Sequence, residues 1–169
     1  MVFLSAFTTK TAVFVLLKGF PGTDILIYIG LIMIFYGIIY ALLENDMRRI
    51  LAYSIVNQVG FMVTGIGIGT EMALNGAAAH AFAHIIYKAL LFMSMGAILH
   101  RTGTVLASEL GGLYKTMPFT SIFCIIGAAS ISAFPLFCGF ISKSMILSAV
   151  AYEGHYWVWI LLLLASAGV

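Results

Sequence analysis

The chain has 169 residues, of which 63% are hydrophobic and only 8% charged, and its mean hydropathy is +1.13. That is more apolar residue than a soluble core of this length needs, and it points to a membrane protein. The net charge of +2 is small and dispersed, which excludes the basic footprint of a nucleic-acid binder. Cys124 and Cys138 fall inside apolar stretches without Cys/His pairing at metal spacing, so neither a disulfide framework nor a zinc site is indicated; both are expected to pack as small hydrophobes.

Six hydrophobic segments follow in chain order. The first covers residues 1–17 and stops at the breaker cluster Lys18-Gly-Phe-Pro-Gly. The second runs from Asp24, with Thr23 as a candidate N-cap, to Leu43, and the third from about Arg49 to Gly69. A fourth spans about Ala73 to Leu99. After a polar connection from His100 to Met117, the fifth runs from Pro118 to about Tyr152, too long for one straight crossing and interrupted at Pro135. The sixth starts near Tyr156 and is still apolar at Val169. The sixth segment is shorter than the roughly 20 residues a crossing needs and the first has Lys10 in its middle, so the sequence reads as a piece of a larger membrane protein. A signal peptide fits the first segment poorly, because it lacks a basic lead-in and a small-residue cleavage site. If every segment crosses, Arg48, Arg49, Arg101 and Lys115 share one side while the other side's connections carry only Lys18. The positive-inside rule then puts the first four in the cytoplasm.

The fourth segment carries His80, His84 and Lys88 at four-residue steps in the run AAAHAFAHIIYKALLFMSMGAIL. Each step advances about 40° around a helix, so the three lie on one stripe roughly 12 Å long. Ionisable groups at membrane depth mark ion or proton traffic, because a lysine there costs on the order of 2.5–3.5 kcal/mol on insertion scales. Lys10, Lys88 and Lys143 all fall within predicted crossings, whereas Asp24, Glu44, Asp46, Glu71, Glu109 and Glu153 sit at segment ends or in loops. A dry lysine without an acid partner either gives up its proton or finds an anion elsewhere. Snorkelling explains Lys10 if its helix sits shallow, but not Lys88, which has long apolar stretches on both sides. The histidine pair suits a proton relay, since imidazole titrates near neutral pH; zinc would need a third ligand on the same face.

The fifth segment reads ISAFPLFCGFISKSMIL, with Pro135 and Gly139 between two apolar halves and Lys143 two turns after the proline. Pro135 removes an amide donor and frees the carbonyl of Ile131, so a kink or break is expected, with Ser130 and Ser132 as candidates to satisfy the exposed groups. A broken helix beside a buried lysine is a way to build an ion site. Gly65-Ile-Gly67-Ile-Gly69 closes an apolar helix and suits close helix packing; it is no dinucleotide fingerprint, and nothing in the sequence holds a cofactor.

The runs NDMRRILAYSIVNQVGFM (Asn45 to Met62), HAFAHIIYKALLF (His80 to Phe92), ELGGLYKTMP (Glu109 to Pro118) and SAFPLFCGFISK (Ser132 to Lys143) resemble the antiporter-like subunits shared by proton-pumping NADH:quinone oxidoreductase (complex I) and Mrp-type Na+/H+ antiporters. The start SAFTTKTAVFVLLKGFPG is similar to the lysine-bearing helix that precedes that family's second inverted repeat. The resemblance covers essentially the whole chain and is strongest to the D-type subunits of the Mrp antiporters. It implies that Lys10 is the central-axis lysine at the end of a first half-channel, that His80, His84 and Lys88 link that centre to a second half-channel, and that Lys143 is the lysine of the broken helix. It also implies that an input-side lysine and its glutamate partner lie upstream of residue 1, with the missing anions supplied by other helices or subunits.

Together these readings predict an all-α, polytopic transmembrane bundle of about six segments, one of them broken. Residues 1–169 would form a single translocating unit, a fragment of the C-terminal half of such a subunit. Residues 1–17 end a preceding helix and 24–169 hold most of the second inverted repeat, truncated at its C-terminus. The expected function is proton, or coupled cation and proton, translocation within a multisubunit complex of the bacterial inner membrane. Its partners would be other membrane subunits, the lipid bilayer and protons, with Na+ as a second candidate ion. A membrane-arm subunit of NADH:quinone oxidoreductase or a related hydrogenase is the alternative in the same class. A structural subunit whose lysines only pair with neighbouring helices is the alternative in another. A passive cation channel is disfavoured, because the crossings contain no acidic ring. No catalytic or redox centre is encoded, so any NADH or quinone chemistry would belong to other subunits.

Overall fold

A computed structural model describes residues 4–167, and all of its regular elements are helical. A π-helical turn at Leu4–Thr8 leads into α1 (Thr9–Gly19), followed by α2 (Asp24–Leu43), α3 (Met47–Ile68) and α4 (Glu71–Thr102). The chain then forms a single 3-10 turn and the short α5 (Leu113–Thr116), α6 (Pro118–Ile131), α7 (Cys138–Tyr152) and α8 (Tyr156–Ala167). α2, α3 and α4 are long and apolar enough to cross a membrane, whereas α6, α7 and α8 are shorter apolar helices. α4, at 32 residues, is about 48 Å long and outreaches a hydrocarbon core of about 30 Å. The chain is therefore an all-α membrane-spanning bundle.

Helix limits follow local chemistry. Asp46 caps α3, its Oδ1 accepting from the amides of Arg48 and Arg49 at 2.8 and 3.2 Å, so the helix begins before the expected Arg49. Thr70 caps α4 through the Ala73 amide at 3.4 Å, and Gly103 ends it with φ 77°, a left-handed conformation that glycine adopts without a Cβ clash. Thr23 precedes α2 but makes no capping bond; its hydroxyl donates back to the Phe20 carbonyl at 3.1 Å.

α2 and α3 pack backbone to backbone through glycines. A Cβ placed on Gly60 would stand 2.6 Å from Ile34 Cγ1 and 2.7 Å from the Gly30 carbonyl oxygen, so only hydrogen fits there. Ile27, Leu31 and Ile34 of α2 then join Phe61, Ile146, Val150, Val158 and Leu162 in one core that ties α2, α3, α7 and α8 together. A second core gathers Leu51, Tyr87, Leu91, Met95 and Ile131 between α3, α4 and α6. The outward face of α2 leaves Ile25, Ile32, Leu42 and Leu43 exposed, an apolar surface suited to lipid or to further membrane helices.

The connections meet in pairs at opposite ends of the α2–α3 hairpin. At one end Asn45 Nδ2 donates to Ser108 Oγ at 3.0 Å, the Ala107 amide to the Asn45 carbonyl at 3.0 Å and the Met47 amide to the Val105 carbonyl at 3.1 Å. The turn after α2 and the loop after α4 thus share one end, as the spacing of the segments predicts. At the other end the Gly22 amide donates to the Ile66 carbonyl at 3.0 Å.

Candidate functional site

α4 is the spine of the site: it packs against α3, α6 and α7, and against the π-helical turn and α1 on another side. His80, His84 and Lys88 are each 0% exposed, and Lys10 and Lys143, brought in by α1 and α7, are 7% and 2% exposed. All five predicted titratable groups are thus buried, and the elements that carry Lys10 and Lys143 both pack against α4.

Each head group has partners of a particular kind. Lys10 Nζ donates to the Ser5 carbonyl at 2.6 Å and to Thr9 Oγ1 at 3.0 Å. Lys88 Nζ donates to the Leu51 carbonyl at 3.1 Å and to Ser54 Oγ, both on α3. Lys143 Nζ donates to the Ile131 carbonyl at 3.0 Å and lies 5.1 Å from the centre of the Phe61 ring, a cation–π contact. His80 bonds through Nδ1 to Ser142 Oγ at 2.8 Å and through Nε2 to Gln58 Oε1 at 2.9 Å. His84 lies edge-on to His80 and Tyr87, its ring centre 6.3 and 5.2 Å from theirs; neither His84 nitrogen nor the Tyr87 hydroxyl has a hydrogen-bond partner among the described residues.

The broken helix is more open than a proline kink. α6 stops at Ile131 and α7 begins at Cys138, and the intervening stretch holds Ala133 and Leu136 at φ 57° and 78°. Such angles are strained for residues with a Cβ. The carbonyl that Pro135 leaves free is taken by Lys143, not by the expected serines: Ser132 Oγ donates instead to the Ala128 and Ala129 carbonyls at 2.9 and 3.3 Å. The ammonium therefore sits at the C-terminal, partially negative end of α6. Gly139 lies against the Ser130 carbonyl oxygen, where any Cβ would collide, which explains glycine in the first turn of α7.

Cys124 is half-buried beside the second core, but Cys138 is exposed at the start of α7 and does not pack as a small hydrophobe. Among the described residues no group of His, Cys, Asp or Glu side chains forms a metal cluster, and the one ion pair joins Arg49 and Glu44 at 3.7 Å, far along the chain from the stripe. The acceptors Ser54 and Gln58 escape a search of the sequence for ionisable groups. The signal for them is the polar group Ser54, Asn57, Gln58 at helical spacing in the middle of an apolar crossing. Ser142, next to Lys143, carries no such signal.

Among the described residues, the acceptors that bond the three lysines are neutral, each a carbonyl or a hydroxyl. A carboxylate would pin an ammonium in its charged form. Neutral oxygens accept from –NH3+ and from –NH2 alike, so the amines stay anchored in either protonation state.

The profile described as NADH:quinone oxidoreductase/Mrp antiporter, TM, matches residues 1–167. The D subunit of the Na(+)/H(+) antiporter of Alkalihalophilus pseudofirmus is 43% identical over 148 residues, covering 87% of this chain and 30% of the antiporter protein. Among solved structures, a chain of an archaeal respiratory membrane complex, the membrane-bound sulfane sulfur reductase, superposes with a TM-score of 0.90 at 30% identity over 99% of this chain and 36% of its own. A chain of the Mrp complex from Dietzia sp. superposes with a TM-score of 0.76 at 34% identity over 82% of this chain and 16% of its own. The chain thus spans about a third or less of each of these proteins. It belongs to the family of antiporter-like membrane subunits shared by NADH:quinone oxidoreductase and the Mrp antiporters.

Proposed function

We propose that this chain is a proton-translocating part of an antiporter-like subunit, in which Lys10, the His80–His84–Lys88 stripe and Lys143 pass protons along a buried line. The observation that carries this reading is the set of neutral acceptors around the lysines, which hold each amine without fixing its charge. In this reading residues 1–17 close one repeat, 24–169 make up most of a second, inverted repeat of about six segments, and the α6–α7 break is one interrupted crossing. Arg48, Arg49, Arg101 and Lys115 face the cytoplasm of a bacterial inner membrane. The subunit works beside other membrane subunits as the D-type member of a Mrp-type Na+/H+ antiporter or a relative, moving protons alone or against Na+. A proton-pumping subunit of NADH:quinone oxidoreductase or a related hydrogenase is the second assignment within this class.

Proton movement into vesicles holding the assembled complex tests the reading. Lys88→Ala removes the titratable amine, and Lys88→Arg keeps a charge that does not leave, because guanidinium stays protonated at any working pH. Both variants are expected to lose transport, with assembly verified on native gels. An arginine variant that transports near the wild-type rate overturns the relay.

One observation favours a structural role for a single member. Lys143 supplies the hydrogen bond that Pro135 withholds from Ile131, so its head group also holds the end of α6. If Lys143→Gln, which keeps a donor and loses the charge, transports normally, Lys143 is a helix cap and the proton line ends at α4.

A further inference from the structure

His80 differs from the other groups of the stripe in having both ring nitrogens engaged, each by a different helix. Nε2 faces Gln58 Oε1 of α3 at 2.9 Å, and Nδ1 faces Ser142 Oγ of α7 at 2.8 Å; all three side chains are at most 1% exposed. The Gln58 carboxamide turns Oε1 to the ring and leaves its Nε2 without a hydrogen-bond partner among the described residues; in that orientation the oxygen only accepts, so the hydrogen on that side belongs to His80 Nε2. In the neutral ring Nδ1 is then the bare nitrogen, and it accepts the hydroxyl hydrogen of Ser142. Ser142 Oγ also lies 3.2 Å from the Cys138 carbonyl and 3.3 Å from the Gly139 carbonyl of its own helix. The hydroxyl therefore has a second place to put its hydrogen.

We propose that Gln58 and Ser142 form a tautomer clamp on His80, so that the proton His80 gains and loses is always the one on Nδ1, the nitrogen facing α7. When a proton reaches Nδ1, the imidazolium donates from both nitrogens: Nε2–H remains on Gln58, and Nδ1–H now points at Ser142 Oγ. The hydrogen then on Ser142 points to the Cys138 or Gly139 carbonyl, and the serine oxygen becomes the acceptor. When the proton leaves, the hydroxyl again donates to Nδ1. The arriving proton adds to Ser142 Oγ as the hydroxyl passes its hydrogen to Nδ1. One proton is thus gained at Nδ1 in one half-cycle and lost by the reverse route in the other, the serine ends each with one hydrogen, and no bond on α3 changes. The exchangeable proton is thus confined to the side of the helix that carries Lys143. The charged neighbours of His80 among the described residues are Lys143 on α7 and Lys10 on α1, with His84 one turn along its own helix; none of them is an acid that would select a nitrogen in place of Gln58.

Gln58 and Ser142 are positioning residues here, and the proposal rests on the proton-translocation reading above. In the assembled complex labelled with 15N-histidine, with the His80 signal assigned by difference against His80→Gln, neutral His80 is expected to carry its hydrogen on Nε2. Gln58→Met should convert that signal to a mixture of tautomers, and Gln58→Glu should preserve it. Proton flux should fall about ten- to a hundredfold in Ser142→Ala and in Gln58→Met, the range lost when a histidine's orienting partner is removed at metal sites. Ser142→Thr, which keeps the hydroxyl, should recover most of the flux, while Ser142→Cys, similar in shape but a weak donor and acceptor, should not. A neutral His80 carrying its hydrogen on Nδ1, or wild-type flux in assembled Ser142→Ala and Gln58→Met, overturns the clamp. Lys88→Ala and Lys143→Ala in the same vesicles separate the two levels. Their loss of flux beside normal Ser142→Ala flux rejects only the clamp, whereas retained flux in all of them rejects translocation along this line.

Discussion

Lys88→Met separates what the buried amine does for transport from what it does for the fold. Methionine is close to lysine in length and flexible enough to fill the same space, so no large cavity follows at this fully buried position. The substitution removes two hydrogen bonds, to the Leu51 carbonyl and Ser54 Oγ, worth together about 3–6 kcal/mol if each counts as charge-assisted. Neither acceptor is orphaned, because Ser54 Oγ itself donates to the Leu51 carbonyl at 3.0 Å. Against that loss stands the removal of an ammonium from a dry interior, whose burial penalty is several kcal/mol. The two effects nearly cancel, and Lys88→Met is expected to unfold within about 2 kcal/mol of the wild type, while proton flux drops to background. The assays are denaturant unfolding in mixed micelles and flux in vesicles, both on the whole assembled protein. A variant destabilised by more than about 3 kcal/mol, the cost of breaking a buried structural pair, would refute the reasoning: Lys88 would then be held for the fold.

The other predictions follow from packing and topology. Gly60→Ala should destabilise the α2–α3 hairpin by about 1–3 kcal/mol through overpacking, since its Cβ would lie 2.7 Å from the Gly30 carbonyl oxygen, a backbone atom. Gly96→Ala, with nothing within 4 Å of the added Cβ, should be neutral or stabilising by up to about 1 kcal/mol through helix propensity, and equal effects of the two in the same unfolding assay would contradict the glycine contact. Pro135→Ala offers Ile131 a backbone donor in competition with Lys143, so flux should fall while assembly persists; unchanged flux in the assembled variant shows that the break does not serve the ion path. Cysteines introduced at Glu44 and Lys115 should be protected from an impermeant reagent added outside intact cells, and labelling of either contradicts the cytoplasmic placement.

Much of this architecture is legible in the sequence because it depends on local periodicity. The apolar runs give α2, α3 and α4, and the four-residue spacing puts His80, His84 and Lys88 on one face without any tertiary knowledge. What escapes is what depends on the register between helices. That Gln58 of α3 and Ser142 of α7 meet His80 from opposite sides is set by glycine contacts and side-chain packing, which no single-helix pattern encodes. The proline announces a break, yet its extent, with Ala133 and Leu136 at positive φ, does not follow from the proline alone. Asp46 reads as a loop acid in the sequence and caps α3 in the structure, because the two arginines after it mask the helix start.

The bond between Lys143 and the Ile131 carbonyl joins Pro135 and Lys143, eight residues apart, into one mutational unit. Pro135 takes a hydrogen away and Lys143 returns one from the next helix. The effect of changing either residue therefore depends on which residue occupies the other position. Once Pro135→Ala lets the backbone serve Ile131, Lys143→Met no longer strips the end of α6. The double substitution should be less damaging to stability than the sum of the two singles, a positive epistasis measurable in a double-mutant cycle. A lineage of this protein exchanging its broken helix for a continuous one would find the proline and the lysine easier to lose together than one at a time.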